Sequence, residues 1–249
     1  MIILKSPEEI KKMGESNAIV AEVLAGLEYM VRPGVTTLAL NNYAETVTEK
    51  MCARPAFKGY RGFPFALCTS VNSEVVHGFP SSRVLEEGDI VGLDYGVHYN
   101  GYYGDSAITV AVNEVSASAA RLMEVTERSL YKGIEAAIAG KRIGDISFAV
   151  QSCVEDAGFS VVRDYVGHGI GKNLHEDPPV PNFGMSDRGV EMRTGMVIAI
   201  EPMVNEGAYP VKIKPDGWTV ETDDGSLSAH FEHTIAVTED GPVILSSRA

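Results

Sequence analysis

The stretch that most restricts how this chain can fold runs from Asp89 to Val112. Two runs rich in β-branched and aromatic residues flank Asn100-Gly101. That dipeptide is a strong hairpin signal, because a type I′ turn needs φ > 0 at both central residues. With the turn there, Tyr99 opposes Tyr102, Val97 opposes Gly104, and Gly96 opposes Asp105. Side chains alternate faces along a strand, so Asp94 shares a face with Gly96 and therefore with Asp105. The two carboxylates become diagonal neighbours, roughly 7–8 Å apart at the backbone, and Gly96 leaves open space in front of Asp105. Inside a sheet two such charges repel unless a cation lies between them. On a solvated hairpin face they need none.

Around this hairpin the chain reads as two helices, strands, two helices and strands again. Ser6-Pro7-Glu8-Glu9 predicts a capped helix start, with apolar positions continuing to about Val31 before Arg32-Pro33-Gly34 stops them. A second helix is predicted over Thr37–Ala53, and strand over Phe65–Val76 with a turn at Asn72-Ser73. Further helices are predicted at about Ala117–Ala139 and Ile143–Ala157. The expected fold class is α+β, with two similar halves at roughly residues 1–115 and 116–249. No Pro/Ser/Gly-rich linker divides the chain, so one catalytic or binding domain over 1–249 is expected. The net charge of −13 argues against a broad nucleic-acid-binding surface. Three scattered cysteines without a CxxC pair suit a reducing cytosol. No apolar run is long enough to span a bilayer, and the opening Met1-Ile2-Ile3-Leu4-Lys5 is too short for a signal peptide. A cytoplasmic protein is the expectation.

Further groups with chemical potential lie downstream. Val166–Pro178 holds His168 and His175 in a glycine-rich setting that permits close approach to a ligand. It matches neither a phosphate loop nor GxGxxG. Met196–Pro202 is an apolar strand ending in Glu201, and Ser228–Val237 carries Glu232 inside a strand. Glutamate in such surroundings is rarely buried without a partner. Asp94, Asp105, Glu201 and Glu232 with His168 supply four carboxylates and one imidazole. Their charge of −4 would be balanced by two divalent cations, and the oxygen-rich set with one nitrogen suits Mn, Fe(II), Co or Zn. Two such ions can clamp a carbonyl during hydrolysis. The remaining histidines His98, His230 and His233 read as structural or exposed.

In this order the residues closely resemble type I methionine aminopeptidases of the pita-bread fold, peptidase family M24. The matching segments are Gly59–Phe63, Val75–Gly78, Gly88–Val91, Asn100–Asp105, Val166–Gly171, Leu174–Pro178, Ile200–Met203 and Ala229–Thr234. The resemblance covers nearly the whole chain. It implies a curved antiparallel sheet between two pseudo-symmetric α/β halves. It also implies that Asp105 and Glu232 bridge both metals, Asp94 chelates one, and His168 with Glu201 binds the other. His77 and His175 would contact substrate. Tyr60, Phe63, Cys68, Leu174 and Trp218 would line a methionine pocket with Phe57 at its edge. Phe63 stands where many members carry tyrosine, which removes a rim hydroxyl but keeps the apolar wall. Only Pro202–Phe231 separates Glu201 from Glu232, so the helical insertion of type II enzymes does not fit, and no amino-terminal zinc-binding extension is expected.

The activity implied is metal-dependent removal of an N-terminal methionine from peptides and nascent chains when the second residue is small. The metals would acidify a water, Glu201 would carry its proton, His175 would stabilise the oxyanion, and His77 would bond the scissile amide. A monomer with transient ribosome contact, and neither nucleic-acid site nor membrane, completes the expectation. Two rivals are an inactive binding protein of the same fold and an Xaa-Pro aminopeptidase. All five candidate ligands and both histidines are present, against the first. No large amino-terminal domain of the kind usual in Xaa-Pro relatives is expected, against the second.

Overall fold

The computed structural model describes residues 2–248; Met1 and Ala249, the outer limits of the expected domain, lie outside them. Helix α1 spans Pro7–Met30. Ser6 Oγ accepts from the Glu9 N–H while Glu9 Oε2 accepts from the Ser6 N–H, a reciprocal box satisfying two otherwise orphan donors. Helix α2 spans Thr37–Lys50, stopping short of the predicted Ala53. The reason is Cys52, whose φ of 58° is left-handed and turns the chain out of the helix. Helices α3, Ala117–Ala136, and α4, Ile143–Glu155, follow the hairpin.

A nine-stranded antiparallel sheet carries the fold. Its strands are β1 Arg54–Pro55, β2 Leu67–Val71, β3 Ile90–Tyr99, β4 Tyr102–Ala111, β5 Gly167–Gly169, β6 Glu176–Val180, β7 Val197–Ile200, β8 Glu232–Thr238 and β9 Gly241–Ile244. Their order is β1-β3-β4-β8-β7-β5-β6, with β2 paired to β3 and β9 to β8. Strands distant in sequence, β4 and β8, thus meet at the middle. The hairpin turns at Asn100-Gly101 with φ of 48° and 83°, and Gly96 faces Asp105 as the turn dictates. Two three-stranded sheets flank the main one. Met203–Asn205 lies between Ser228–His230 and Ser160–Val161, and Val220–Thr222 lies between Val211–Ile213 and Glu74–Val76.

Helix α1 lies along the β3–β4 hairpin, while α3 and α4 pack on each other and reach β6, β7 and β8. One apolar core joins these layers: Leu24, Leu27 and Leu40 from the first helix pair, Leu93 from β3, Leu130, Ile146 and Val150 from the second pair, and Ile198 and Ile235 from β7 and β8. Within it the Tyr95 hydroxyl is hydrogen-bonded to Thr48 Oγ1 at 2.6 Å, satisfying the polar tip of a fully buried ring. Among the described residues no helix is long and apolar enough to cross a membrane.

Candidate metal centre and substrate cleft

Strand pairing assembles the polar cluster. Asp94 on β3 pairs with Ala107 on β4, and Ala107 pairs in turn with Glu232 on β8. Asp105 sits two residues from Ala107 and so points to the same face. Pairing of His233 with Ile200 brings Glu201, one residue past β7, beside Glu232. Pairing of Gly169 with Ile198 brings in β5 and His168. Four neighbouring strands and the residue that follows a fifth thus send one side chain each into a single cleft. Asp94, Asp105, His168, Glu201, Glu232, His77, His175, Phe57, Tyr60, Phe63, Cys68, Leu174 and Trp218 all line it.

The donor set fits divalent cations. One ligand atom each from Asp105, His168 and Glu232 lie within 4.8 Å of one another, and all three residues are buried. His168 Nε2 lies 3.9 Å from Asp105 Oδ2 and 3.7 Å from Glu201 Oε1. Asp94 Oδ1, Asp105 Oδ1 and Glu232 Oε1 are buried without a hydrogen-bond partner, an arrangement that costs free energy unless a cation meets them. Burial first, then neighbouring carboxylates, pushes Asp105 and Glu232 far above the ordinary carboxylate range. Burial also raises Asp94, to about 7, and Glu201, to about 8. The His168 Nδ1–H donates to Gly169 O at 2.9 Å, leaving the Nε2 lone pair free to ligate. Burial lowers this imidazole to about 4, so it is neutral at physiological pH, the form a metal takes.

One wall of the cleft is apolar. Phe63 packs edge-on against Trp218 at 5.2 Å and Phe79 at 5.4 Å. Cys68, paired with Asp94 across β2 and β3, has its thiol pushed well up by burial and the carboxylates, and it remains a small neutral wall residue. The space in front of Gly96, expected to be open, is taken by Phe57: a Cβ on Gly96 would come 2.7 Å from that ring. Lacking a side chain, Gly96 seats the ring rather than leaving a void. His77 adopts φ 59°, a strained conformation for a non-glycine residue and one that recurs at functional sites. Its ring stands edge-on to Tyr165 and Trp218.

His168 and His175 are brought together by the β5–β6 hairpin, which pairs Gly169 with Glu176, and their rings lie 4.2 Å apart. Tyr60 stacks on the outer side of His175, and its hydroxyl contacts Nδ1 at 2.9 Å. Burial first, then His168 and Arg61, lower His175 to about 3.

Two lining or adjoining residues escaped the sequence reading. Arg61 lies at the mouth in the short 3₁₀ turn Tyr60–Gly62. His230 does not stand apart from the site: it is buried, with Nε2 3.6 Å from Glu201 Oε2 and no hydrogen-bond partner. Strand alternation was the available signal, since His230 precedes Glu232 by two. His98 packs beside Tyr103, and His233 is held by Ser246, both outside the cleft lining.

With this geometry in hand, three comparisons bear on the chain. Residues 11–239 match the model of metallopeptidase family M24. A methionine aminopeptidase of Clostridium acetobutylicum is 53% identical over 247 residues, covering 99% of each chain. The chain superposes on the crystal structure of methionine aminopeptidase from Thermotoga maritima with a TM-score of 0.98, at 47% identity and 100% coverage of both.

Proposed function

The chain belongs to metallopeptidase family M24, and on that premise we propose that it hydrolyses the first peptide bond of chains beginning with methionine. The fold is the α+β pita-bread fold shared with the methionine aminopeptidases it resembles. The observation that carries the reading is the apolar pocket opening directly onto the carboxylate–imidazole cluster in one cleft. Identity of about one half over the full length to proteins named methionine aminopeptidase gives it the substrate. Neither an Xaa-Pro peptidase nor an inactive relative fits as well. The described chain acts as one catalytic domain, its halves sharing a core.

Asp94, Asp105, His168, Glu201 and Glu232 would hold two divalent ions, and the buried, unpartnered oxygens of Asp94, Asp105 and Glu232 support that assignment. When bound, these ions supply Lewis acidity toward the peptide carbonyl and lower the pKa of a water. Glu201 takes a proton from the attacking water and returns it to the leaving nitrogen. His175, neutral at working pH, donates to the developing oxyanion. When the Tyr60 hydroxyl donates to Nδ1, the single imidazole proton sits on Nε2, available to the substrate. His77, lowered to about 4 chiefly by burial, is likewise neutral and hydrogen-bonds the scissile amide. Tyr60, Phe63, Cys68, Leu174 and Trp218 enclose the methionine side chain, with Phe57 at the edge. An apolar pocket separates near-isosteres by only about 1–3 kcal/mol, so norleucine is also accepted.

The natural substrate is the start of a newly made chain with a small second residue, met by a monomer in the cytoplasm beside the ribosome. This setting rests on the substrate class. The test compares Met-Ala-Ser, N-acetyl-Met-Ala-Ser and Met-Leu-Ser with metal supplied. Methionine is expected from the first alone. Equal release from the acetylated peptide would overturn the exopeptidase reading.

A further inference from the structure

The buried ion pair of Lys5 and Glu176 lies immediately behind His175. Lys5 Nζ meets Glu176 Oε2 at 2.6 Å, and the two side chains are 4% and 5% exposed. Burying two charges gains little stability over an apolar pair of the same volume, so the pair calls for another account. Its geometry supplies one. Glu176 Oε1 accepts from the Asn173 N–H at 3.1 Å, closing the turn that presents Leu174 and His175 to the cleft. Lys5 holds the other oxygen, and is itself fixed by Nζ donating to Ile3 O and by its backbone N–H donating to Gly195 O. Gly171 leaves the room required: a Cβ there would come 2.6 Å from Lys5 Cε and 2.8 Å from Glu176 Oε1. Thus the segment before α1 grips the histidine-bearing turn from behind, while Tyr60 touches the ring from the front.

We infer that Lys5, acting through Glu176, is a positioning residue for His175 in the hydrolytic step. The inference rests on the role given to His175 above. It assigns a catalytic consequence to a residue that lines no part of the cleft and touches no candidate metal ligand. Displacement of a reacting group by about 1 Å can cost on the order of 10²-fold in rate, so loss of the grip is read in kcat.

The experiment is a double-mutant cycle on the metal-loaded enzyme. Lys5→Met is made in the parent and in the His175→Ala background. Metal content and the kinetics on Met-Ala-Ser are measured for each. Lys5→Met/Glu176→Met is the second variant, because it leaves no unpaired buried charge should the single substitution fail to fold. Expected are unchanged metal content, a kcat lowered roughly 10–100-fold with KM within about threefold, and a further loss of less than about twofold when His175 is already alanine. The apo-enzyme gives an independent readout: the imidazole NMR signal that His175→Ala removes should shift in Lys5→Met. Equal losses in both backgrounds would overturn the inference and leave the pair merely structural, as would parental kcat in the double variant. A His175→Ala enzyme with parental kcat would instead overturn the role of His175 itself, so the two failures are distinct.

Discussion

Adjacent imidazoles meet different partners in this cleft. His168 has its Nδ1–H committed to Gly169 O and its Nε2 turned to Asp105 and Glu201, whereas His175 is held by the Tyr60 hydroxyl at the mouth. His168→Ala removes the sole nitrogen donor of the candidate ligand set. It should weaken metal binding first, and activity should recover partly at high metal. His175→Ala leaves each proposed ligand in place. It should keep its metal and lose kcat by on the order of 10²–10³, the cost of one oxyanion donor. Metal analysis with steady-state kinetics separates the two, and the reverse pattern would exchange their roles. At this scale the cluster was legible because alternation along a strand is strict: Asp94 and Asp105 could be put on one face from the turn alone. His230 obeys the same alternation relative to Glu232, yet a histidine inside an apolar strand reads equally as core. Phe57 over Gly96 was not legible, because the loop carrying it meets the hairpin only through tertiary packing.

Among the elements, the β3–β4 hairpin meets the backbone of a helix directly. α1 crosses it at Gly104, where a Cβ would come 2.8 Å from Asn17 N and 2.9 Å from Ser16 C, both helix backbone. Backbone cannot swing aside as a side-chain tip can. Gly104→Ala should therefore destabilise the protein by about 1–3 kcal/mol, the cost of overpacking, read as a lower midpoint in urea. An unchanged midpoint would show that α1 sits less closely on the strand. The same substitution also crowds the element carrying Asp105, so a loss of metal affinity should accompany it. Helix starts and the hairpin register were readable because caps and turns are local chemistry. The joining of β4 to β8 was not, since more than a hundred residues separate them and no local signal specifies which strand a half-buried edge will find. The resemblance to a known family brought Asp105 and Glu232 together through shared metals but named no strand pairing.

For the molecule as a whole, the cluster makes stability depend on metal and pH together. Without metal, Asp94 and Glu201 keep their protons to about pH 7 and about pH 8, while unfolded carboxyls release theirs near pH 4. The folded state then binds more protons across that interval, so stability present at low pH is lost as pH rises through the folded values. Unfolded histidines titrate near pH 6.5 but enter the metal-free and metal-loaded scans alike, and the buried ones, lowered by burial, are neutral when folded, so they cancel from the metal-induced difference. Cations displace the retained protons, and the rise in Tm on adding Mn(II) should grow from pH 6.5 to 8. A rise that shrank over this range, followed by scanning calorimetry, would point to binding elsewhere. The central claim is that this one cleft, with metal held by its four carboxylates and one imidazole, releases N-terminal methionine. It is tested most directly by assaying methionine release from Met-Ala-Ser before exhaustive chelation, after it, and after return of Mn, Co or Fe(II). Activity should vanish with the metal and return with it; full release by metal-free protein would contradict the account.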